Sequence, residues 1–131
     1  MSNSWQSLGD SADVHVVRHP GAVTISFRAD IDAHNQPRML AFCRSVLGSS
    51  DRLVHLILDF SAVTYFDSSG LRGLEQICEQ VRRQGGTFRI VAPPGTITRR
   101  LLDIVATMSP LADAIDDGPA PPANALVSGA A

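Results

Sequence analysis

Between Leu53 and Phe60 the chain reads LVHLILDF, apolar at nearly every position. It then passes through SAVTYFDSSG into a segment where Leu71, Leu74, Cys78 and Val81 recur every three or four residues. A strand that is apolar on both sides of its pleat belongs in the middle of a sheet, covered on both faces, as parallel strands with crossover helices are. The helical repeat that follows is closed by Arg82, Arg83 and then Gly85-Gly86, cations followed by glycine where a helix C-terminus favours them. This strand-to-helix passage predicts an α/β fold. The junction inside it, Asp67-Ser68-Ser69-Gly70, falls where open α/β sheets place their functional loops.

The rest of the pattern agrees. Val14 and Val16 precede the turn pair Pro20-Gly21. Val23, Ile25, Phe27, Ala29 and Ile31 then alternate with Thr24, Ser26, Arg28 and Asp30, which predicts an opening hairpin. Pro37 fits the first turn of a helix in which Leu40, Cys43 and Leu47 keep helical spacing until Gly48. TFRIVA reads as a further strand, and Pro93-Pro94-Gly95-Thr96 introduces a third amphipathic helix carrying Ile97, Leu101, Leu102 and Val105. LADAI is expected as a short edge strand, and DDGPAPPANALVSGAA as a tail too poor in large apolar groups to offset its ordering entropy. The order strand, strand, helix, strand, helix, strand, helix, strand implies a mixed sheet with crossover helices.

Composition removes several functions. A chain of 131 residues, 44 % hydrophobic and 18 % charged, can bury one globular core. The net charge is −2, and the basic residues form no run beyond Arg82-Arg83 and Arg99-Arg100, so there is no electrostatic footprint for nucleic acid or an anionic membrane. Those arginines read most simply as solvated helix faces. Every basic residue is Arg, which excludes a Schiff-base lysine and a P-loop lysine. MSNSWQSLGDSAD has neither a basic n-region nor an apolar h-region, and no stretch approaches a membrane span, so a cytoplasmic location is expected. Cys43 and Cys78 lie in helix-like segments and cannot make a metal site alone. Buried free thiols are the simpler reading, and a redox pair is the other, because both cysteines sit on apolar helix faces expected on one side of the sheet. No metal and no cofactor is expected.

The chemistry of the junction has three readings. Asp67, Ser68 and Ser69 are all favoured N-cap residues. A helix N-terminus also exposes unpaired N–H groups and a positive dipole end, so a phosphate esterified to a serine there is tolerated, and Gly70 removes a side chain that would crowd an approaching partner. A catalytic serine would need a base. No GxSxG is present, the histidines at 15, 19, 34 and 55 fall in or beside strands and turns, and neither GxGxxG nor GxxxxGK[ST] occurs. The chain is therefore not expected to be an enzyme, while capping and a phosphate site both stand.

These residues resemble a known family. LDFSAVTYFDSSGLRGL is similar to the signature of the STAS domain of anti-sigma factor antagonists, D-x-S-x-V-x-x-x-D-S-[ST]-G-L, matched at Asp59, Ser61, Val63, Asp67, Ser68, Ser69, Gly70 and Leu71. RADIDAHNQPRML resembles the family's G-E-[LI]-D segment, with Ala29 and Asp30 standing for its Gly and Glu, and RRQGGTFRIVAPPGTITRRLLDI resembles its helix, strand and third-helix run. The resemblance implies a single STAS-like domain over residues 13–116, an α/β mixed sheet of about four to five strands with helices packed mainly on one face, between a flexible segment 1–12 and a flexible Pro/Ala-rich tail 117–131.

It also implies a partner switch. The unmodified antagonist binds an anti-sigma factor, a serine kinase of the histidine-kinase-like ATPase fold, and so releases a sigma factor for transcription. Phosphorylation of the serine after the motif Asp, here Ser68 rather than Ser69, abolishes binding, and a metal-dependent phosphatase restores it. The added charge beside Asp67 would repel an acidic partner surface and obstruct close packing without a change of fold. The partner face implied comprises Asp30, Asp32, Asp67, Ser68, Ser69, Gly70, Leu71 and Arg72, where Arg72 either shapes that surface or pairs with a phosphate, and Asp30 and Asp32 are alternatively turn and cap residues. Isolated STAS domains also serve as subunits docking on the ATPase of ABC-type lipid transporters, which would make the same loop an unmodified docking surface.

Overall fold

The computed structural model describes residues 5–8, 12–48, 55–105 and 111–117. Strands β1 (Gln6–Ser7), β2 (Ala12–His19) and β3 (Ala22–Ile31) are followed by helix α1 (Gln36–Gly48), strand β4 (His55–Phe66), helix α2 (Ser68–Arg83), strand β5 (Thr87–Val91), helix α3 (Ile97–Val105), a 3-10 turn at Ala112–Ala114 and strand β6 (Ile115–Asp116). The sheet order is β1-β2-β3-β4-β5-β6, antiparallel among the first three and parallel from β3 onward. The sheet has six strands rather than four to five. The additional one is β1, a two-residue edge strand within the segment 1–12 expected to be flexible, while the edge strand expected at the other end is the two-residue β6. Of LADAI only the final Ile is in a strand, the rest being turn and 3-10 helix. Residues 118–131, most of the expected tail, lie outside the described residues.

Each parallel strand lies beside its predecessor, and right-handed crossovers between such neighbours place every helix on the same side. The core shows this arrangement. Leu40, Cys43 and Leu47 of α1, Leu74, Ile77 and Val81 of α2 and Leu102 of α3 join one cluster with Val14, Ile25, Phe27, Leu56, Leu58, Phe60, Phe88 and Ile90 of the sheet. The register makes this face continuous: Val14 opposes Phe27, Ile25 opposes Leu58, and Leu58 opposes Ile90. Ile57, on the opposite face and outside that cluster, is buried as well, but its neighbours on that face, His55 and Asp59, are exposed and half-buried, so the helices cover β4 on one side rather than on both as its apolar run predicts.

Strand β4 runs on past the apolar run, as far as Phe66. Strict alternation from Leu56, Leu58 and Phe60 would next bury positions 62 and 64, yet Val63 and Phe66 are the buried ones. Two register shifts against β3 account for the difference, because each inserts an extra β4 residue and changes which face the following side chains take. Asp59 secures the first, its Oδ1 accepting from the Ser61 N–H at 2.9 Å and the Ser61 hydroxyl at 2.5 Å. In this chain the D-x-S part of the motif is thus bulge chemistry. Phe66 emerges beneath the head of α2, stacked edge-on to Phe60 at 5.4 Å, and Phe60 in turn lies 5.1 Å from Phe27.

Among the described residues no helix is long and apolar enough to cross a membrane.

Candidate functional site

The C-terminal ends of β3 and β4 lie side by side, with Asp30 opposite Tyr65 and Ile31 opposite Phe66. The two acidic segments singled out in the sequence therefore share one edge of the sheet, where β3 feeds α1 and β4 feeds α2. The two helices meet at this end over Gly73: a Cβ there would lie 2.8 Å from Met39 Cε and 2.9 Å from Gln36 Nε2, so a larger residue would have to displace the ends of those two side chains. Pattern reasoning gives no sign of that contact.

At the head of α2 the cap is Asp67. Its backbone is extended (φ −128°, ψ −170°), and its Oδ1 accepts the N–H groups of Ser69 at 3.0 Å and Gly70 at 3.3 Å. Leu71 N–H closes the first helical turn onto the Asp67 carbonyl at 3.1 Å. One of the three stacked cap candidates thus does all the capping. Ser68 occupies the first helical position, exposed, and its hydroxyl has no hydrogen-bond partner among the described residues. Ser69 is half-buried and Arg72 exposed, with Leu71 packed against the core at its margin.

Gly70 has a different job from the one its sequence position implied. It is buried, and its missing side chain makes room for the Phe66 ring below rather than for a partner above.

Across the edge, Asp30 Oδ1 accepts from the Thr64 hydroxyl at 3.1 Å. Asp32 works as a turn residue, its Oδ1 accepting the N–H groups of His34 at 3.0 Å and Asn35 at 3.2 Å. Asn35, 2 % exposed, ties the turn together: its Oδ1 accepts the Asp32 N–H at 2.9 Å and its Nδ2 donates to the Asp30 carbonyl at 2.6 Å. Asn35 and Thr64 thereby set where the two carboxylates point, and neither stands out in the sequence, since an Asn in a turn and a Thr in a strand are ordinary. Tyr65, 47 % exposed, was missed as well. Its hydroxyl reaches Asp67 Oδ2 at 3.4 Å, and its ionisation is pushed up, chiefly by the Asp67 charge and further by Asp32 and Asp30. The edge is thus an acidic rim with one exposed phenol.

Other candidates lie elsewhere. Cys43 and Cys78 are free and buried, and burial pushes both thiols up, Cys43 far up. Arg99 is no solvated face residue. Its Nε donates to Asp103 Oδ1 at 2.9 Å and its Nη1 to the Ala92 carbonyl at 3.1 Å and to Asp117, fastening α3 to the end of β5 and to the residue after β6. Arg83 pairs with Glu79 at 3.6 Å across one exposed helical turn, and Arg100 is exposed. His55 lies on the sheet surface with its Nδ1 2.5 Å from the Thr87 hydroxyl. Among the described residues no cluster of His, Cys, Asp and Glu could hold a metal ion.

Comparison with known proteins gives the arrangement a family. The STAS domain model matches residues 13–115. An anti-sigma factor antagonist from Mycobacterium paratuberculosis superposes with a TM-score of 0.61 at 28 % identity, over 79 % of this chain and 91 % of its own. The anti-sigma factor antagonist SpoIIAA in its unphosphorylated form gives a TM-score of 0.71 at 17 % identity, over 88 % of this chain and 96 % of its own. The phosphorylated form of SpoIIAA, a Bacillus cell fate determinant, gives 0.65 at 13 % identity over 90 % and 99 %. At those identities the two SpoIIAA structures speak for the fold.

Proposed function

Since the chain belongs to the STAS-domain family, we propose that it is an anti-sigma factor antagonist, a binding regulator rather than an enzyme, whose hold on an anti-sigma factor ends when Ser68 is phosphorylated. The observation that carries this reading is the division of labour at the head of α2. Asp67 caps the helix, so the exposed Ser68 hydroxyl next to it is not needed by the fold and is open to a kinase. The reaction is phosphoryl transfer from ATP. Ser68 Oγ bonds to the γ-phosphorus, the bond from that phosphorus to the bridging oxygen breaks, ADP leaves, and the hydroxyl proton passes to the kinase's base. The helix end accommodates the product, because the positive end of the α2 dipole favours an anion there.

The partner is an anti-sigma factor that is itself a serine kinase of the histidine-kinase-like ATPase fold, and a metal-dependent phosphatase resets the switch in the cytoplasm. The docking face comprises Asp30, Asp32, Asp67, Ser68, Ser69, Leu71 and Arg72, with Tyr65 added as its exposed aromatic anchor. A surface that complements this acidic rim is rich in donors. A phosphate there therefore acts through bulk and through the cost of desolvating a dianion more than through repulsion of an acidic partner. That SpoIIAA has been solved in both forms, each superposing on this chain, supports a switch that leaves the fold alone.

The test uses the purified protein, an anti-sigma factor kinase and radiolabelled ATP. Wild type and Ser69→Ala should take label, Ser68→Ala should not, and labelled protein should no longer retain the anti-sigma factor. Label persisting in Ser68→Ala, or no label with every candidate kinase, overturns the reading.

A further inference from the structure

One turn beyond Ser68 stands a guanidinium that the fold does not use. Arg72 is exposed on α2 and makes no ion pair among the described residues. By contrast, Arg28, Arg83, Arg89 and Arg99 are matched to carboxylates, and Arg44 reaches across to Gln80 and Gln76. Positions 68 and 72 share one helix face, with Cβ atoms about 5–6 Å apart at this spacing. Helical side chains lean toward the N-terminus, so Arg72 projects over the turn that carries Ser68. An anion four residues before a cation is also the favourable order for such a pair.

Resting on the assignment of Ser68 as the modified residue, we propose that Arg72 captures the phosphate of phosphoserine 68, so that phosphorylation withdraws a cation from the docking face as it adds an anion. Before modification Arg72 is free to meet a carboxylate or carbonyl of the partner. Afterwards its planar fork is held by phosphate oxygens on its own helix, a charge-assisted pair that needs no movement of the backbone. The other charges around the phosphate act against it: Asp67 at the cap, Asp30 and Asp32 across the rim, and Glu75 within a turn of Arg72. Tyr65 is neutral below its raised ionisation range. Arg38, exposed in the first turn of α1, is the rival cation.

The experiment places phosphoserine at position 68 of the full chain by genetic code expansion and titrates it by phosphorus NMR. Phosphoserine ordinarily loses its second proton near pH ~6, the carboxylates raise that value and Arg72 lowers it. Arg72→Gln should raise it by about half a pH unit relative to wild type, and that difference should shrink in high salt. Arg72→Lys should restore part of it and Arg38→Gln should leave it in place. Equal values in wild type and Arg72→Gln, or a rise caused by Arg38→Gln instead, overturn the proposal. Because the phosphate is installed without a kinase, this result is independent of whether any anti-sigma factor labels Ser68.

Discussion

The ring of Phe66 fills the space that a side chain at Gly70 would need: a Cβ at position 70 would lie 2.5 Å from Phe66 Cε1 and 2.9 Å from Cδ1. The last residue of β4 and the third residue of α2 are thus packed ring against backbone, and this contact sets the height at which Asp67 and Ser68 leave the sheet. Gly70→Ala gains up to about 1 kcal/mol of helix propensity but must displace a ring held by Phe60, at about 1–3 kcal/mol for overpacking. A net loss of about 1–2 kcal/mol in urea unfolding is expected. A midpoint equal to wild type would show that Phe66 is free to give way.

Capping and signalling separate cleanly by substitution. Asp67→Ala removes the acceptor for two backbone N–H groups and should cost about 1 kcal/mol. Asp67→Asn keeps an acceptor and should cost less, while Ser68→Ala should stay within about 0.5 kcal/mol of wild type. If Ser68→Ala were the more damaging change in thermal unfolding, Ser68 would have a structural role that the hydrogen bonds do not show.

Tyr65 is the chain's single tyrosine, so its ionisation can be followed by absorbance without interference. Asp67, Asp32 and Asp30 hold its pKa above the ordinary 10.0, because a phenolate beside carboxylates is disfavoured. Asp67→Asn removes the largest of these charges and should bring the titration down toward the ordinary value. The sign for stability follows: a folded pKa above the unfolded one means that the Tyr65 contribution is intact below pH 10 and fades as pH rises through the folded value. A titration unmoved by Asp67→Asn would put the control with Asp30 and Asp32.

Ala29, where the family's segment has Gly, holds a left-handed backbone at φ +72°, directly before the rim residue Asp30. An L-residue pays roughly 1–2 kcal/mol for that region, and glycine returns part of the gain through the freedom of its unfolded chain. Ala29→Gly should therefore stabilise the domain by about 0.5–1 kcal/mol in denaturant titrations. A destabilised variant would mean that the Ala29 methyl contributes more in packing than its backbone costs.

Cys43 and Cys78 should resist alkylation in the native protein, since each is buried and desolvation keeps its thiol protonated. Arg82 offsets this partly at Cys78, which should be the faster of the two once local opening begins. In denaturant both should react fully, even after exposure to oxidant. A mass spectrum in which both fail to react after oxidation would identify a bridge.

How much of this was legible in the chain depends on the range of the interaction. Helix α2 and the hairpin of β2 and β3 were readable because hydrophobic period and end signals are local, and the order of elements left few topologies once crossovers are right-handed. Strand β1 was not readable, since Gln6–Ser7 owe their conformation to pairing with β2 and carry no pattern of their own.

The site divides in the same way. From sequence alone it followed that a buried strand delivers an Asp, two serines and a Gly to the head of an amphipathic helix, because that is period and propensity. Which of those polar residues caps, and which is left free, was a tertiary decision, made by the extended backbone of Asp67 above the ring of Phe66. The bulges that bring Phe66 there, the Thr64 bond that aims Asp30, and the Arg99 clamp on the end of β5 all join residues distant along the chain or facing another element. Such contacts leave no periodic trace, since each depends on a single pair of atoms that only the folded sheet brings within reach.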